Sequence, residues 1–136
     1  MTGADATPDV TALIVTWRSR ELLERCLAAL DRHAPTGSAM EIVVVDNDSR
    51  DGTVEYLRDA RPDARLVANQ ENVGYTRANN QGLAIARGRH ILLINADAFL
   101  TAGAADALLA ALESDPRVAV AGREAHRVLL AHRDGA

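Results

Sequence analysis

The chain has 136 residues, a net charge of −4, and 48% hydrophobic but only 3% aromatic residues. That is enough for one domain with its own core, which Leu, Ile, Val and Ala must fill. The acidic balance argues against nucleic acid or an anionic membrane as partner, since either calls for a basic face. All 15 basic residues are Arg. The lack of Lys excludes P-loop phosphate binding and Schiff-base chemistry, and beside so much Ala it reads as the mark of a GC-rich coding sequence. The single cysteine, Cys26, allows no disulfide within the chain and makes a reducing cytoplasm the default. No apolar run is long enough to span a bilayer and the start MTGADATPD is no signal peptide, so a soluble, intracellular protein is expected.

In chain order, residues 1–9 read as a frayed leader and VTALIVT (Val10–Thr16) as a first buried strand ending at Trp17-Arg18-Ser19. Ser19 is placed to cap a helix whose Leu22, Leu23, Cys26, Leu27 and Leu30 form one apolar stripe, with Cys26 as core filling. Pro35 and Gly37 end that unit. The run EIVVVDNDSRDGT (41–53) follows: consecutive β-branched residues predict a strand buried on both faces, running into an acidic turn. A short helix over 52–58 turns Val54 and Leu57 inward, Pro62 breaks the chain, and RLVA (Arg65–Ala68) makes a third strand. An amide- and glycine-rich stretch, NQENVGYTRANNQG (69–82), leads into a helix that runs through Leu83, Ile85 and Ala86 and stops at Arg87-Gly88. HILLIN (90–95) is a fourth buried strand, with Ala96-Asp97-Ala98 just beyond it. Residues 101–114 form an Ala/Leu helix, and 118–121 a fifth, short strand. The tail 122–136 is weakly patterned; Val128, Leu129 and Leu130 suit a helix, and His126 and His132 suit solvated surface. Alternating strands and helices predict an α/β protein with an open, mainly parallel, right-handed, three-layer α/β/α sheet over residues 10–121.

Four polar loops then fall at the carboxyl ends of strands: 16–19, 46–49, 69–74 and 95–97. Parallel topology gathers them on one sheet edge, where they can converge on one ligand. Asp, Asn and Ser also cap helices and make turns, and Ser19, Ser49 and Thr101 are read as caps. Capping does not explain Asp97, since Thr101 can start the next helix. A dinucleotide site is excluded, because the first turn is Trp17-Arg18-Ser19-Arg20 rather than glycine-rich. DNDSRDG is not a calcium loop: Arg50 takes a liganding position, the glycine register is wrong, and a strand precedes it. No Gly-x-Ser-x-Gly elbow marks a hydrolase.

LIVTWRSRELLERCLAAL, EIVVVDNDSRDGTVEYL, ENVGYTRANNQGLAIARG and HILLINADAFL, in this order and spacing over about residues 10–121, resemble the family 2 glycosyltransferases. Among these they look closest to the bacterial rhamnosyltransferase-like group. The resemblance implies the Rossmann-like glycosyltransferase type A fold, and transfer of a sugar from a UDP- or dTDP-sugar to a glycan, lipid-linked or small-molecule acceptor, in cell-wall or polysaccharide biosynthesis. It implies an inverting reaction, with Mg²⁺ or Mn²⁺ as cofactor, in the cytoplasm or at the inner face of the membrane. Carried over residue by residue, it puts Thr16, Trp17 and Asp46 at the base and ribose of the donor, with Asp46 accepting an imide N–H, and Asp48 beside the ribose or bracing the loop. Asn72, Gly74 and Asn79 would lie along the nucleotide and diphosphate. Asn95 and Asp97 would stand in the family's metal-binding element, with Asp97 on the ion that neutralises the diphosphate.

The chain departs from the family's pattern at Arg18, Arg77, Ala96 and Ala98, which bears on donor choice. Family members are longer, and their second half carries the acceptor site and the general base that inverting transfer requires. None of the carboxylates after Asp97, Glu113, Asp115, Glu124 and Asp134 among them, matches that base motif. The expected alternatives are therefore a transferase whose acceptor half comes from a second chain, and a truncated or non-catalytic nucleotide-sugar-binding module. A nucleotidyltransferase would need the glycine-rich loop and lysine that are missing.

Overall fold

The computed structural model describes residues 7–115, 117, 120–123 and 128–132. The strands are β1 (Val10–Thr16), β2 (Met40–Asp46), β3 (Arg65–Ala68), β4 (His90–Ile94), β5 (Val120–Arg123) and β6 (Val128–His132); the helices are α1 (Arg20–Arg32), α2 (Thr53–Ala60), α3 (Tyr75–Ile85) and α4 (Ala104–Glu113). They form one six-stranded sheet in the order β3-β2-β1-β4-β6-β5. The first four strands are parallel, and β6 runs antiparallel between β4 and β5. The expected open, mainly parallel α/β/α sheet is what forms.

Its two faces follow from alternation along the strands. Ala12, Ile14, Ile42, Val44, Leu92 and Ile94 pack with Leu23, Cys26, Leu27 and Leu30 of α1, Leu57 of α2 and Leu108 and Leu112 of α4. Leu13, Val43, Val45 and Ile91 pack on the opposite face with Ala78 of α3. Val43, Val44 and Val45 are all 0% exposed, so β2 is covered on both sides, as its β-branched run requires. Each fully buried Leu or Val contributes about 1.5–3 kcal/mol relative to exposure.

Several local expectations change. Leu22 is 37% exposed and leaves the α1 stripe, and Val54 is only half-buried. The leader does not extend to Asp9, whose carboxylate accepts from the Ala39 amide at 3.0 Å and the Arg89 guanidinium at 3.3 Å; residues 1–6 lie outside the described residues. Helix α3 stops at Ile85, and Ala86 is already extended. The next two amides have partners outside the helix: Arg87 N–H donates to Glu41 at 2.7 Å and Gly88 N–H to Thr11 Oγ1 at 2.9 Å. Gly88 therefore serves close approach, since a Cβ there would meet the Thr11 nitrogen at 2.5 Å. Val128, Leu129 and Leu130 are strand, not helix, because the apolar β4 needs a second neighbour and β6 pairs with it from His90↔His132 to Ile94↔Val128. A short apolar run has no period with which to tell the two apart. Residues 118–119 of the expected fifth strand, and the side chains of His126 and His132, lie outside the described residues.

At the amino edge, Glu41 ties three elements together. It accepts from Thr11 Oγ1 at 2.6 Å, the Arg87 amide at 2.7 Å, and the Arg65 and Arg87 guanidinium groups at 3.2 Å. Burial pushes its carboxyl up, but these bonds outweigh it and hold the group below the ordinary carboxylate range. The stability that Glu41 contributes is therefore complete above the usual carboxylate pKa and is lost as pH falls through the lowered native value. Glu41→Gln should cost about 1–3 kcal/mol at neutral pH in urea unfolding, and the gap from wild type should narrow near pH 3.

Candidate functional site

The strand order places β2 and β3 on one side of β1 and β4 on the other, so the chain leaves β1 and β4 in opposite directions. A crevice at the carboxyl ends of such a pair is where open α/β sheets bind ligands. Here it is a cavity of about 310 Å³ whose lining includes Thr16, Trp17, Tyr75, Asn95 and Asp97. Thr16 ends β1 at 2% exposure, and its Oγ1 is buried with no hydrogen-bond partner among the described residues. Trp17 is 46% exposed, with the Arg18 guanidinium 4.6 Å from its ring centroid.

The β4 end is built as a tight turn. Ala98 N–H donates to the Asn95 carbonyl at 2.9 Å, and the buried Ala96 and Ala98 anchor the turn on either side of the exposed Asp97. The Cys26 thiol of α1 donates to the same carbonyl at 3.7 Å. Burial, and secondarily the charge of Asp97, pushes that thiol up to about 12, so it stays protonated and able to donate. From the other side, Tyr75 Oη donates to Asn95 Oδ1 at 3.4 Å.

Asp46 and Asp48 do not line this cavity. They border a second one of about 540 Å³ with Arg50, Arg58, Asn69 and Gln70. Asp46 is 1% exposed, and its carboxylate takes the Ser49 hydroxyl at 2.5 Å and the Ser49 amide at 3.1 Å. The Ser49 hydroxyl also accepts from Arg18 N–H at 2.8 Å, joining the loops after β1 and β2. Arg18, Asp48 and Arg50 have φ of 52°, 60° and 55°, so the non-glycine residues held in the left-handed region, among those described, all sit in these two loops. Such strain gathers where surrounding structure fixes a functional loop.

The expected side-chain caps fall elsewhere. Ser19 occupies the N-cap of α1 but turns its hydroxyl to the Trp17 carbonyl. Gly52 and Gly103 are the N-caps of α2 and α4, while Ser49 is committed to Asp46 and Thr101 contributes only its carbonyl, to Ala104. Asp51 takes over at α2, accepting from Thr53 Oγ1 at 2.5 Å and from the Thr53 amide, and it also receives the Arg20 amide at 3.3 Å. Burial raises its pKa less than these bonds lower it, so it stays charged at two helix starts.

Asn72, Gly74 and Asn79 line neither cavity. Asn72 Oδ1 accepts from Gly74 N–H at 2.9 Å, which shapes the start of α3, and Asn79 is half-buried on that helix. What holds this loop is a set of amides. Asn47 Oδ1 accepts from Asn69 Nδ2 at 3.0 Å and from Val73 N–H at 3.4 Å, and Asn47 Nδ2 donates to the Gly74 carbonyl at 3.3 Å. Asn69 and Gln81 exchange two further bonds, at 2.8 and 2.9 Å. Asn47, Gln81 and Tyr75 are given no role by the sequence, and Ser49 only that of a cap. Position within polar motifs was the only signal for them, and it does not separate a brace from a ligand contact.

No group of three or more His, Cys, Asp or Glu able to hold a metal occurs among the described residues. Asp97 is the carboxylate lining the cavity. An exposed carboxylate fits Mg²⁺ or Mn²⁺ where the remaining ligands are phosphate oxygens and water, the usual way these ions are held at phosphate sites.

Residues 11–133 match the family model described as glycosyl transferase family 2, and the chain belongs to that family. It is 34% identical over 117 residues to an uncharacterized protein of Mycobacterium tuberculosis, covering 85% of this chain and 36% of that one. It is 38% identical over 96 residues to the succinoglycan biosynthesis protein ExoO of Rhizobium meliloti, covering 68% and 26%. Among solved structures, the mannosyltransferase PcManGT of Pyrobaculum calidifontis, in complex with GDP-Man and Mn²⁺, superposes with a TM-score of 0.77 at 25% identity over 96% of this chain and 46% of that one. TarS of S. aureus, with UDP-GlcNAc, matches at 0.68 and 20% identity over 78% and 31%, and shares the fold. The sheet is thus of the glycosyltransferase type A kind. The chain spans about a third or less of the length of these curated relatives.

Ser49→Ala removes both links of the Asp46–Ser49–Arg18 relay that use the hydroxyl and leaves a buried carboxylate short of a partner. It should lower unfolding stability by about 1–3 kcal/mol, with faster hydrogen exchange at the Arg18 amide in the folded protein.

Proposed function

We propose that the cavity between β1 and β4 binds a UDP- or dTDP-sugar together with Mg²⁺ or Mn²⁺, and that the chain is the donor half of an inverting glycosyltransferase. One observation carries this: Thr16, whose buried hydroxyl has no hydrogen-bond partner among the described residues, lines the same cavity as Asp97. A buried hydroxyl without a partner costs free energy that a bound polar ligand relieves. On this reading Thr16 and Trp17 hold the nucleoside, and Asp46 and Asp48 support its base and ribose end through the loop that Ser49 ties down. Asn72, Gly74 and Asn79 set the start of α3 against the diphosphate, while Asn95 and Asp97 hold the metal. When bound, the ion neutralises charge on the diphosphate leaving group.

The mannosyltransferase complex with GDP-Man and Mn²⁺ supports metal use, the TarS complex with UDP-GlcNAc supports a nucleotide-sugar ligand, and ExoO, a succinoglycan biosynthesis protein, supports a place in polysaccharide assembly; a glycan or lipid-linked acceptor belongs to the same proposal. The rhamnosyltransferase-like placement rests on the four sequence motifs. A place in the cytoplasm or at the inner face of the membrane belongs to the same proposal; no helix among the described residues is long and apolar enough to cross a bilayer.

The second reading, a donor-binding module without its own catalysis, is favoured by the carboxylates that follow Asp97. Asp106 is bonded to Thr36, Glu113 lies 3.5 Å from His90 at the far edge, and Asp115 pairs with Arg117. None of these lines the cavity, and Glu124 and Asp134 lie outside the described residues; on this reading the general base comes from another polypeptide segment or chain.

The test is a thermal-shift panel of UDP-, dTDP- and GDP-sugars with and without Mn²⁺. Stabilisation by a UDP- or dTDP-sugar that requires Mn²⁺ is expected, and Asp97→Ala should abolish the metal-dependent part. Thr16→Val should weaken binding about tenfold, the effect of one lost buried hydrogen bond. No donor-dependent shift in the wild type would sink both readings. Slow hydrolysis or transfer of a bound donor separates enzyme from module.

A further inference from the structure

The sequence has one Trp, two Tyr and one Phe. Three of these stand exposed at the carboxyl edge: Trp17 at 46%, Tyr75 at 57% and Phe99 at 36%. Single exposed apolar side chains are ordinary, but aromatic surface gathered at a cavity suits ligand contact, and Trp17 and Tyr75 line the same one. Trp17 is assigned above to the nucleoside, and Phe99 is covered by the Arg25 guanidinium, 4.6 Å from its ring centroid. Tyr75 is unassigned. It is the most exposed of the large apolar side chains and lines the same cavity as Asp97.

Its position is built rather than loose. Tyr75 opens α3, and the two residues before it are held by Asn47 through the Val73 amide and the Gly74 carbonyl. The phenol reaches across to Asn95 Oδ1 at 3.4 Å, two residues from Asp97. That length is at the outer limit for an O–H donor, so the bond is readily exchanged for a better partner. Thr16 and Trp17 mark the nucleoside side of the cavity and Asn95 and Asp97 the metal and diphosphate side, and Tyr75 is bonded to the latter. What continues beyond a diphosphate in a nucleotide sugar is the sugar. A hexose offers an apolar C–H face and a ring of hydroxyls, which an aromatic ring carrying a phenol can meet with both its surfaces.

We propose that Tyr75 is a specificity-determining residue that contacts the sugar of the donor, its ring against a C–H face and its hydroxyl on a sugar hydroxyl. This rests on the donor-site reading above. The test is calorimetric titration, with Mn²⁺ present, of three matched pairs: UDP and UDP-glucose, dTDP and dTDP-glucose, GDP and GDP-mannose. Wild type, Tyr75→Phe and Tyr75→Ala are compared. In at least one pair the sugar should add affinity in the wild type. Tyr75→Ala should weaken that sugar nucleotide about tenfold while the bare diphosphate changes by less than about twofold, and Tyr75→Phe should fall between. Equal loss for the bare diphosphate would place the ring on the nucleotide and overturn the proposal. So would unchanged affinities in both variants, or a wild type that gains nothing from any sugar. If no nucleotide binds the wild type, the donor-site reading itself fails and takes this one with it, a result distinct from the other three.

Discussion

The carboxyl edge of this sheet depends on how one buried carboxylate is satisfied. Asp46 ends β2 with 1% exposure, where an unpaired charge would not be tolerated. The Ser49 hydroxyl answers it from three residues on and turns to accept the Arg18 amide from the neighbouring strand's loop. One hydroxyl thereby holds two loops in a single geometry and sustains the left-handed backbone at Arg18, Asp48 and Arg50. Asp51 repeats the device a turn later, serving the starts of α2 and α1 at once. The acidic run DNDSRDG is thus mostly architecture: its carboxylates and hydroxyls face one another before they face any ligand.

That division explains why the polar loops open onto separate depressions rather than one. Parallel strands gather their carboxyl ends along an edge, but the edge runs the width of the sheet, and the Asn47 amide donating to the Thr16 carbonyl at 2.9 Å closes the space between β1 and β2. Room remains between β1 and β4, where the chain departs in opposite directions. The loop before α3 is brought to that gap by Asn47, which follows β2 directly but acts on residues 69, 73 and 74. Positioning therefore comes from the end of β2, and the cavity-lining groups come from the ends of β1 and β4 and the starts of α1 and α3.

The strands were legible in the sequence because burial on both faces leaves only β-branched and aliphatic runs; Val10–Thr16 and Arg65–Ala68 coincide with their predicted bounds. The gathering of Thr16, Trp17, Asn95 and Asp97 was legible too, because topology alone brings the ends of β1 and β4 together. Caps were not. A serine one or two residues before a helix can bond the helix, the loop or a buried acid, and Ser49 is claimed by Asp46 because an unpaired buried charge costs more than an uncapped amide. Leu22 reads as core by helical period, yet it belongs to the first turn of α1, which overhangs the cavity rather than the sheet. Tyr75 gave no sign, since nothing in GYTR tells whether an aromatic at a helix start packs inward or stands in water. The strand pairing of Val128–His132 depends on an unpaired edge of β4, a non-local need that no window around those residues contains.

Among the described residues Asp97 is the one carboxylate in the cavity lining, and this shapes how a metal could be used. One exposed carboxylate holds a divalent ion weakly, because the ion gives up hydration for a single charged ligand. On the proposed donor-site reading a diphosphate would supply further oxygens at the same point, so that ion and nucleotide would each raise the other's affinity, reciprocally and by the same factor. On that reading the turn from Asn95 to Ala98 suits the arrangement: Cys26 donates to the Asn95 carbonyl and the buried Ala96 and Ala98 fix the backbone that carries Asp97. The cost of ordering is met in folding, and the small number of ligating groups is offset by their being pre-set.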